Sequence, residues 1–161
     1  IVDKALRLEG ASRNFAPDDF PAAASPEVTD ALIVAAGNIY PERYWVGMEA
    51  TTDDFREGQG RPNTEGILTE RAKKIHEHVM SQGAVCYSME ASALFVWCAT
   101  HWGGIPCGVI NAVIGNRITD ELDPKGEKEA AHIALEAIRL LDERAYHDTT
   151  CGSITNFNLA P

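Results

Sequence analysis

The sequence lacks the long hydrophobic runs of a membrane protein and the basic surplus of a nucleic-acid-binding protein. No apolar run approaches the ~20 residues that a helix needs to cross a bilayer, so we expect no membrane-spanning segment. Only 14 basic side chains accompany 24 acidic ones, and the formal net charge of −10 opposes binding to a polyanion. These deficits argue against membranes and nucleic acids as partners.

Cysteine is scarce, and its spacing is irregular. The four cysteines, Cys86, Cys98, Cys107 and Cys151, form no C-x-x-C pair and no regular framework. This pattern favours free, buried thiols in a reducing compartment over a disulfide framework. No basic residue stands beside them to activate a nucleophilic thiol. We therefore predict a cytoplasmic protein without a catalytic cysteine.

Along the sequence, strand-like segments alternate with helix-like segments. Hydrophobic residues make up 45% of the chain and charged residues 24%, as in ordinary globular domains. Strands are predicted at 44–52, 85–87 and 107–114, the last of them an internal strand covered on both faces. Helices are predicted at 25–38, 69–83, 90–99 and 125–145. This alternation predicts an α/β sandwich over residues 1–145, followed by an irregular tail at 146–161.

The predicted helices carry local start signals and apolar stripes. Ser25 is a candidate cap before Pro26, and Thr69 opens the second helix. The stripe of the second helix is predicted to contain Ala72, Ile75, Val79 and Met80. The residues of the last helix that are predicted to face inward are Ala130, Ile133, Ala134, Ala137, Ile138 and Leu141.

The segment 51–61 carries side chains suited to a flat polar ring. Gln59 and Arg61 are two apart and project to the same side of an extended stretch, and glycines flank Gln59. A uracil edge offers an acceptor, a donor and an acceptor, which a carboxamide and a guanidinium together satisfy. Cytosine would set its amino donor against the arginine and leave buried groups unpaired, at roughly 1–3 kcal/mol each. The pair therefore favours a uracil-like base.

Each of these residues also has an ordinary structural interpretation. Gln59 and Arg61 suit a solvated loop, and Phe55 suits a hydrophobic core. Glu90 in the segment 88–92 begins a predicted helix, where a carboxylate also complements the helix dipole. Placed after a short strand, the same carboxylate can instead accept hydrogen bonds from ribose hydroxyls.

The order and spacing of several short segments resemble the uridine phosphorylases of the nucleoside phosphorylase-I superfamily. The resemblance runs from about residue 4 to about residue 141 and includes 6–12, 15–17, 46–47, 51–61, 87–92 and 108–117. It implies a three-layer α/β sandwich with a mixed central sheet flanked by helices. It also implies that an N-terminal part of the fold, which holds the phosphate-binding glycine and arginines, precedes this chain.

The resemblance implies a role for individual residues. Phe55 would stack on the base, Gln59 and Arg61 would bind the uracil edge, and Met89 with Glu90 would hold the ribose. Ile114 and Arg117 would border the base, and the catalytic residues would be Arg61, Glu90 and Arg117. Ser88 departs from the bacterial pattern, which has a second acidic residue there, so no ribose contact is assigned to it.

The implied activity is cleavage of uridine by inorganic phosphate, giving uracil and ribose 1-phosphate, without a cofactor and in a homo-oligomer. Purine-cleaving members use an acid in the loop after the last strand. This chain has Asn116 and Arg117 there and no carboxylate before Asp120, which disfavours purine cleavage. A further alternative is a noncatalytic nucleoside-binding module that lacks the phosphate site.

No metal site is predicted. His76 and His78 are two apart on a predicted helix, so their side chains diverge around its axis and are expected to be exposed. Glu129 and His132 have the i, i+3 spacing of a metal-binding helix, but no second helix supplies partner ligands.

Overall fold

The computed structural model describes residues 1–117, 119 and 121–152, with side chains described as far as residue 145. The strands are β1 (Val2–Leu8), β2 (Gly47–Thr52) and β3 (Cys86–Ser88). The helices are α1 (Pro26–Ile39), α2 (Glu70–Ser81), α3 (Ala91–Thr100) and α4 (Glu127–Gly152), with single 3-10 turns at Ala11–Asn14 and Glu57–Gln59. The predicted α/β class is confirmed.

The three strands form a parallel sheet in the order β1-β2-β3. Leu6 lies opposite Ala50, and Ala50 lies opposite Tyr87. Parallel strands need crossover connections, which α1 and α2 provide here. In a parallel sheet the carboxyl ends of all strands meet at one edge, so the segments after β2 and β3 lie side by side.

Helices cover both faces of this sheet. Leu6 and Ala50 pack with Val79 of α2 on one face. Val2 and Ala5 pack with Phe95 of α3 on the other face. Full burial of a side chain such as Phe95 stabilises the fold by roughly 1.5–3 kcal/mol. The sheet is thus packed between α2 on one face and α3 on the other.

Helices α1 and α4 pack against each other through small side chains. Ala31, Ala35 and Ala137 are buried at this contact together with Leu32 and Ile133. Alanines allow two helices to approach closely, so the pair forms a third core cluster in addition to those on the two faces of the sheet. The predicted inward face of α4 is wrong at Ile138, which is 62% exposed.

The predicted internal strand at 107–114 is wrong. This segment makes one backbone bridge to the sheet, in which Val2 N donates to Val109 O over 3.0 Å. Residues 22–24 occupy the rest of that edge of β1, because Ala5 N donates to Ala22 O and Ala24 N donates to Asp3 O. Since the edge is already occupied, 107–114 runs past it without forming a ladder. Strand pairs in the described residues are parallel, so the mixed sheet stays a prediction.

The helices lie close to their predicted bounds, with three differences in detail. Thr69 caps α2 as predicted, its hydroxyl accepting from Ala72 N over 3.2 Å. Ser25 precedes α1 as predicted, but its hydroxyl accepts from Cys107 N over 2.9 Å instead of capping the helix. Met80 is 53% exposed, so its predicted place in the α2 stripe is wrong.

The last difference concerns the end of α4. This helix continues to Gly152, so the irregular chain predicted to begin at residue 146 is wrong for 146–152. Residues 153–161 of the predicted tail lie outside the described residues, as does Asp120. The division into a domain over 1–145 and a tail stays a prediction.

Three of the four cysteines, Cys86, Cys98 and Cys107, are free thiols, as predicted. Burial raises the pKa of Cys86 and of Cys107 to about 11 in each case. Both thiols are therefore protonated at neutral pH and poorly nucleophilic. The side chain of Cys151 lies outside the described residues. Along the described part of the chain, helices are too short or too polar to traverse a bilayer.

Candidate functional site

The segment after β2 folds into a tight turn. The Asp54 carboxylate accepts hydrogen bonds from Arg56 N over 3.2 Å and from Gly58 N over 2.8 Å. These backbone donors lower the pKa of Asp54. The turn ends at Gln59, which is only 3% exposed. The predicted extended arrangement of Gln59 and Arg61 is therefore wrong, because Asp54 winds the chain into a 3-10 turn.

The turn brings Gln59 to Arg117, which is 58 positions away in the sequence. Arg117 Nη2 donates to Gln59 Oε1 over 2.6 Å. The loop that carries Arg117 is closed by Asp123 N donating to Ile114 O over 2.9 Å. An arginine only donates, so it fixes which end of the Gln59 carboxamide faces it. The amide NH₂ is then the end of Gln59 suited to donate to a carbonyl of a ligand.

Arg61 contacts Phe55. Its guanidinium carbon lies 4.9 Å from the centroid of the Phe55 ring, within cation–π distance. The Phe55 side chain is 50% exposed, so its ring offers an accessible flat surface bordered by a cation. The structure thus arranges four of the five residues predicted at the base as two pairs, Gln59 with Arg117 and Phe55 with Arg61.

Tyr87 and His76 support the first pair, and sequence reasoning missed both. The Arg117 guanidinium carbon lies 5.9 Å from the Tyr87 ring centroid. The Tyr87 hydroxyl and His76 Nδ1 form a hydrogen bond of 2.8 Å, so the expected exposure of His76 is wrong. Burial raises the pKa of Tyr87 despite the nearby Arg117 charge. The position of Tyr87, directly before the segment 88–92, was the signal available in the sequence.

Gly60 joins the two pairs, and its replacement by alanine is expected to destabilise the fold by roughly 2–4 kcal/mol. Gly60 has a φ of +69°, and a Cβ added to it would lie 2.7 Å from the Cβ of His76. Gly66 is a matched control, because it has a φ of +80° but no neighbouring atom within 4 Å. Urea unfolding of both alanine variants measures the difference. Equal losses would show that the contact with His76 is not tight.

The segment after β3 presents the predicted ribose residues. Glu90 is the residue before α3 and is exposed, and Met89 is 40% exposed. Met89 N donates to Glu90 Oε2 over 3.0 Å, and Glu90 N donates to Ser88 Oγ over 3.2 Å. These residues follow Tyr87 directly in the chain, at the carboxyl end of β3. Ile114 is 41% exposed, at the base of the Arg117 loop.

The arrangement combines a flat aromatic surface, two guanidinium groups, a buried carboxamide and an exposed carboxylate at one edge of the sheet. The guanidinium groups and the amide are donors, and the carboxylate is an acceptor. Such a set suits a ligand with carbonyl groups at one end and hydroxyl groups at the other. A nucleoside with a carbonyl-bearing base has this distribution.

Comparison with known proteins agrees with this chemistry. The chain is 38% identical over 143 residues to a uridine phosphorylase of Thermococcus kodakarensis, covering 89% of this chain and 50% of that protein. It is 35% identical over 147 residues to uridine phosphorylases of Salmonella typhimurium and Escherichia coli, covering 88% of this chain and 57% of each. The chain thus spans about half the length of these curated relatives.

A family model for the phosphorylase superfamily matches residues 1–147. The match covers β1 to β3 and α1 to α3 completely, together with most of α4. The resemblance predicted from the short segments is therefore confirmed, and the chain belongs to the phosphorylase superfamily.

Proposed function

We propose that this chain supplies the uracil and ribose subsites of a uridine phosphorylase, which cleaves uridine with phosphate to uracil and ribose 1-phosphate. The observation that carries the proposal is the bond of 2.6 Å between Arg117 and the buried Gln59. It joins a guanidinium to the acceptor end of a carboxamide, which supports the assignment of this pair to the base. Relatives named uridine phosphorylase, at 35–38% identity, support the same activity.

In the proposed reaction the protein stabilises charge and forms no covalent bond to the substrate. Negative charge develops on the departing uracil, where donors from Gln59, Arg61 and Arg117 are favourable. Positive charge develops on the ribose ring, where the Glu90 carboxylate is favourable. Interactions that strengthen as these charges develop lower the activation barrier rather than merely tightening binding. Phosphate is the attacking co-substrate, and no cofactor takes part.

Arg117 also favours pyrimidine over purine nucleosides. Protonation of a departing purine requires an acid, and an arginine stays protonated at ordinary pH and cannot supply the proton. In its bond to Gln59, Arg117 is a hydrogen-bond donor, which supports its assignment to the base. The substrate we propose is therefore a uracil nucleoside.

The finer architecture is part of the same proposal. The helices on both faces of the sheet support a three-layer sandwich. The isolated antiparallel bridges from β1 to Ala23 and to Val109 support a mixed sheet. Assembly into a homo-oligomer and a cytoplasmic location are inferred from the resemblance and from the free thiols.

Calorimetric titration of the natural protein tests the base assignment. We expect uridine to bind roughly 10- to 100-fold more tightly than cytidine, because the cytosine amino group would oppose the donors at the base. Inosine is expected to bind more weakly than uridine as well. Equal affinity for uridine and cytidine would contradict the assignment of Gln59 and Arg117 to the base.

The alternative function is a noncatalytic nucleoside-binding module. Measuring uracil release with and without phosphate separates the two functions. Phosphate-dependent release by the natural protein supports the phosphorylase. Selective uridine binding without release under any phosphate concentration supports the module.

A further inference from the structure

A fully buried carboxylate lies beneath the predicted ribose residues. Glu49, in the central strand β2, is 0% exposed and faces α3. Its Oε1 accepts from Thr51 Oγ1 over 2.9 Å and also accepts from the Ser88 hydroxyl, and its Oε2 accepts from Asn111 Nδ2 over 2.6 Å. Burying a charged group is unfavourable unless it is well hydrogen-bonded. Three donors from three different segments meet this requirement.

The Ser88 and Thr51 hydroxyls are also hydrogen-bonded to the start of α3. A hydroxyl has one proton, and both protons point to Glu49, so the oxygens are left to act as acceptors. Ser88 Oγ accepts from Glu90 N over 3.2 Å, and Thr51 Oγ1 accepts from Ser92 N over 3.0 Å. Amides in the first turn of a helix have no partner within the helix and need such acceptors.

This arrangement replaces the usual N-cap. The residue before a helix commonly caps these amides with its own side chain. Glu90 occupies that position in α3, and its side chain makes no capping bond to the helix. Because Ser88 and Thr51 supply the acceptors, the Glu90 carboxylate remains at the exposed surface, where Met89 N donates to it over 3.0 Å.

We propose that Glu49 is a positioning residue of the ribose subsite, which orients the Ser88 and Thr51 hydroxyls so that they cap α3 and leave the Glu90 carboxylate for the sugar hydroxyls. The inference rests on the proposed function in its assignment of ribose to Glu90. Glu49 touches no ligand and acts through the turn between β3 and α3. Its acceptor oxygen, rather than its charge, is the property the arrangement requires.

Variants of Glu49 test this role. Glu49→Met has similar volume but no acceptor for the hydroxyl protons. It is expected to weaken uridine binding by roughly 10-fold or more, and 2′,3′-dideoxyuridine binding by less than about 3-fold. Glu49→Gln keeps an acceptor oxygen for both hydroxyls, and the Asn111 amide can turn its oxygen toward the new NH₂. This variant is expected to stay within about 3-fold of the wild-type protein for both ligands.

Ser88 variants provide a second route should Glu49→Met fail to fold. Ser88→Ala removes the link between Glu49 and Glu90 N and is expected to give the same selective loss of uridine binding. Ser88→Thr keeps the hydroxyl and is expected to retain uridine binding. An equal loss for uridine and 2′,3′-dideoxyuridine in Ser88→Ala would overturn the proposal.

A matched buried carboxylate serves as the control. Glu9 is 3% exposed, and it accepts from Ser92 Oγ over 2.6 Å and from Ser12 N over 2.8 Å. Glu9→Gln removes the charge of a comparable buried network without touching Ser88, so its preference for uridine over 2′,3′-dideoxyuridine is expected to match that of the wild-type protein. The same selective loss in Glu9→Gln as in Glu49→Met would overturn the specific role of Glu49.

Amide hydrogen exchange gives a readout that needs no ligand. Exchange at Glu90 N is expected to speed up in Glu49→Met and in Ser88→Ala, and to stay unchanged in Glu9→Gln. Unchanged exchange at Glu90 N in Glu49→Met would overturn the positioning role. A wild-type protein that binds no uridine would instead overturn the proposed function, so the two failures are distinguishable.

Discussion

Replacing Gln59 with glutamate is expected to lower uridine affinity by roughly 10- to 100-fold while changing the free energy of unfolding by less than about 1 kcal/mol. Arg117 Nη2 donates to Gln59 Oε1 over 2.6 Å, and a carboxylate at this position accepts the same bond. The carboxylate has no donor for a uracil carbonyl, however, and its negative charge would repel the partial negative charge of the carbonyl oxygen. Binding and stability are therefore expected to separate.

Gln59→Leu is the matched control for this experiment. Leucine removes both the donor for the base and the acceptor for Arg117 at a position that is 3% exposed. We expect the same loss of uridine affinity together with a loss of roughly 1–3 kcal/mol in the free energy of unfolding. Titration calorimetry and urea unfolding measure the two quantities. Wild-type affinity in Gln59→Glu would mean that the carboxamide does not contact the base.

The parts of the fold that depend on local chemistry were predictable from the sequence. The helix at 69–83 was predicted from Thr69 and from a stripe of apolar residues, and α2 occupies Glu70–Ser81. The prediction of a strand at 107–114 was wrong because apolar composition gives no information about which segment pairs with the edge of β1. Residues 22–24 hold that edge through Ala5 N and Ala24 N, a tertiary fact that no local pattern records.

The site was predictable in its residue types but not in its geometry. The sequence indicated a carboxamide and a guanidinium for a base, yet the partner of Gln59 is Arg117 rather than Arg61. Asp54 determines this pairing, because its carboxylate accepts a hydrogen bond from Gly58 N and so stabilises the turn that ends at Gln59. Glu49 gave no signal, since a single acid within a strand-like segment looks like an ordinary surface residue. Its burial depends on tertiary contacts such as the hydrogen bond from Asn111 Nδ2, which no local pattern records.

Replacing Glu90 with glutamine is expected to weaken uridine binding by roughly 10- to 100-fold, with changes of less than about 3-fold for free uracil. A carboxylate accepts charge-assisted hydrogen bonds from ribose hydroxyls, each contributing about 1.5–3 kcal/mol, and a neutral amide accepts more weakly. Glu90 is exposed and makes no capping bond to α3, so the free energy of unfolding is expected to change by less than about 1 kcal/mol.

Glu27→Gln separates this role from a general effect of charge at a helix start. Glu27 is also exposed and lies in the first turn of α1, where it complements the helix dipole as Glu90 does at α3. It is expected to show wild-type affinity for both uridine and uracil, with a similarly small loss of stability. Calorimetric titration of both variants with both ligands measures the contrast. If Glu90→Gln weakens uracil binding as much as uridine binding, the carboxylate affects the shape of the site or the contact with the base. Ribose recognition must then come from other residues.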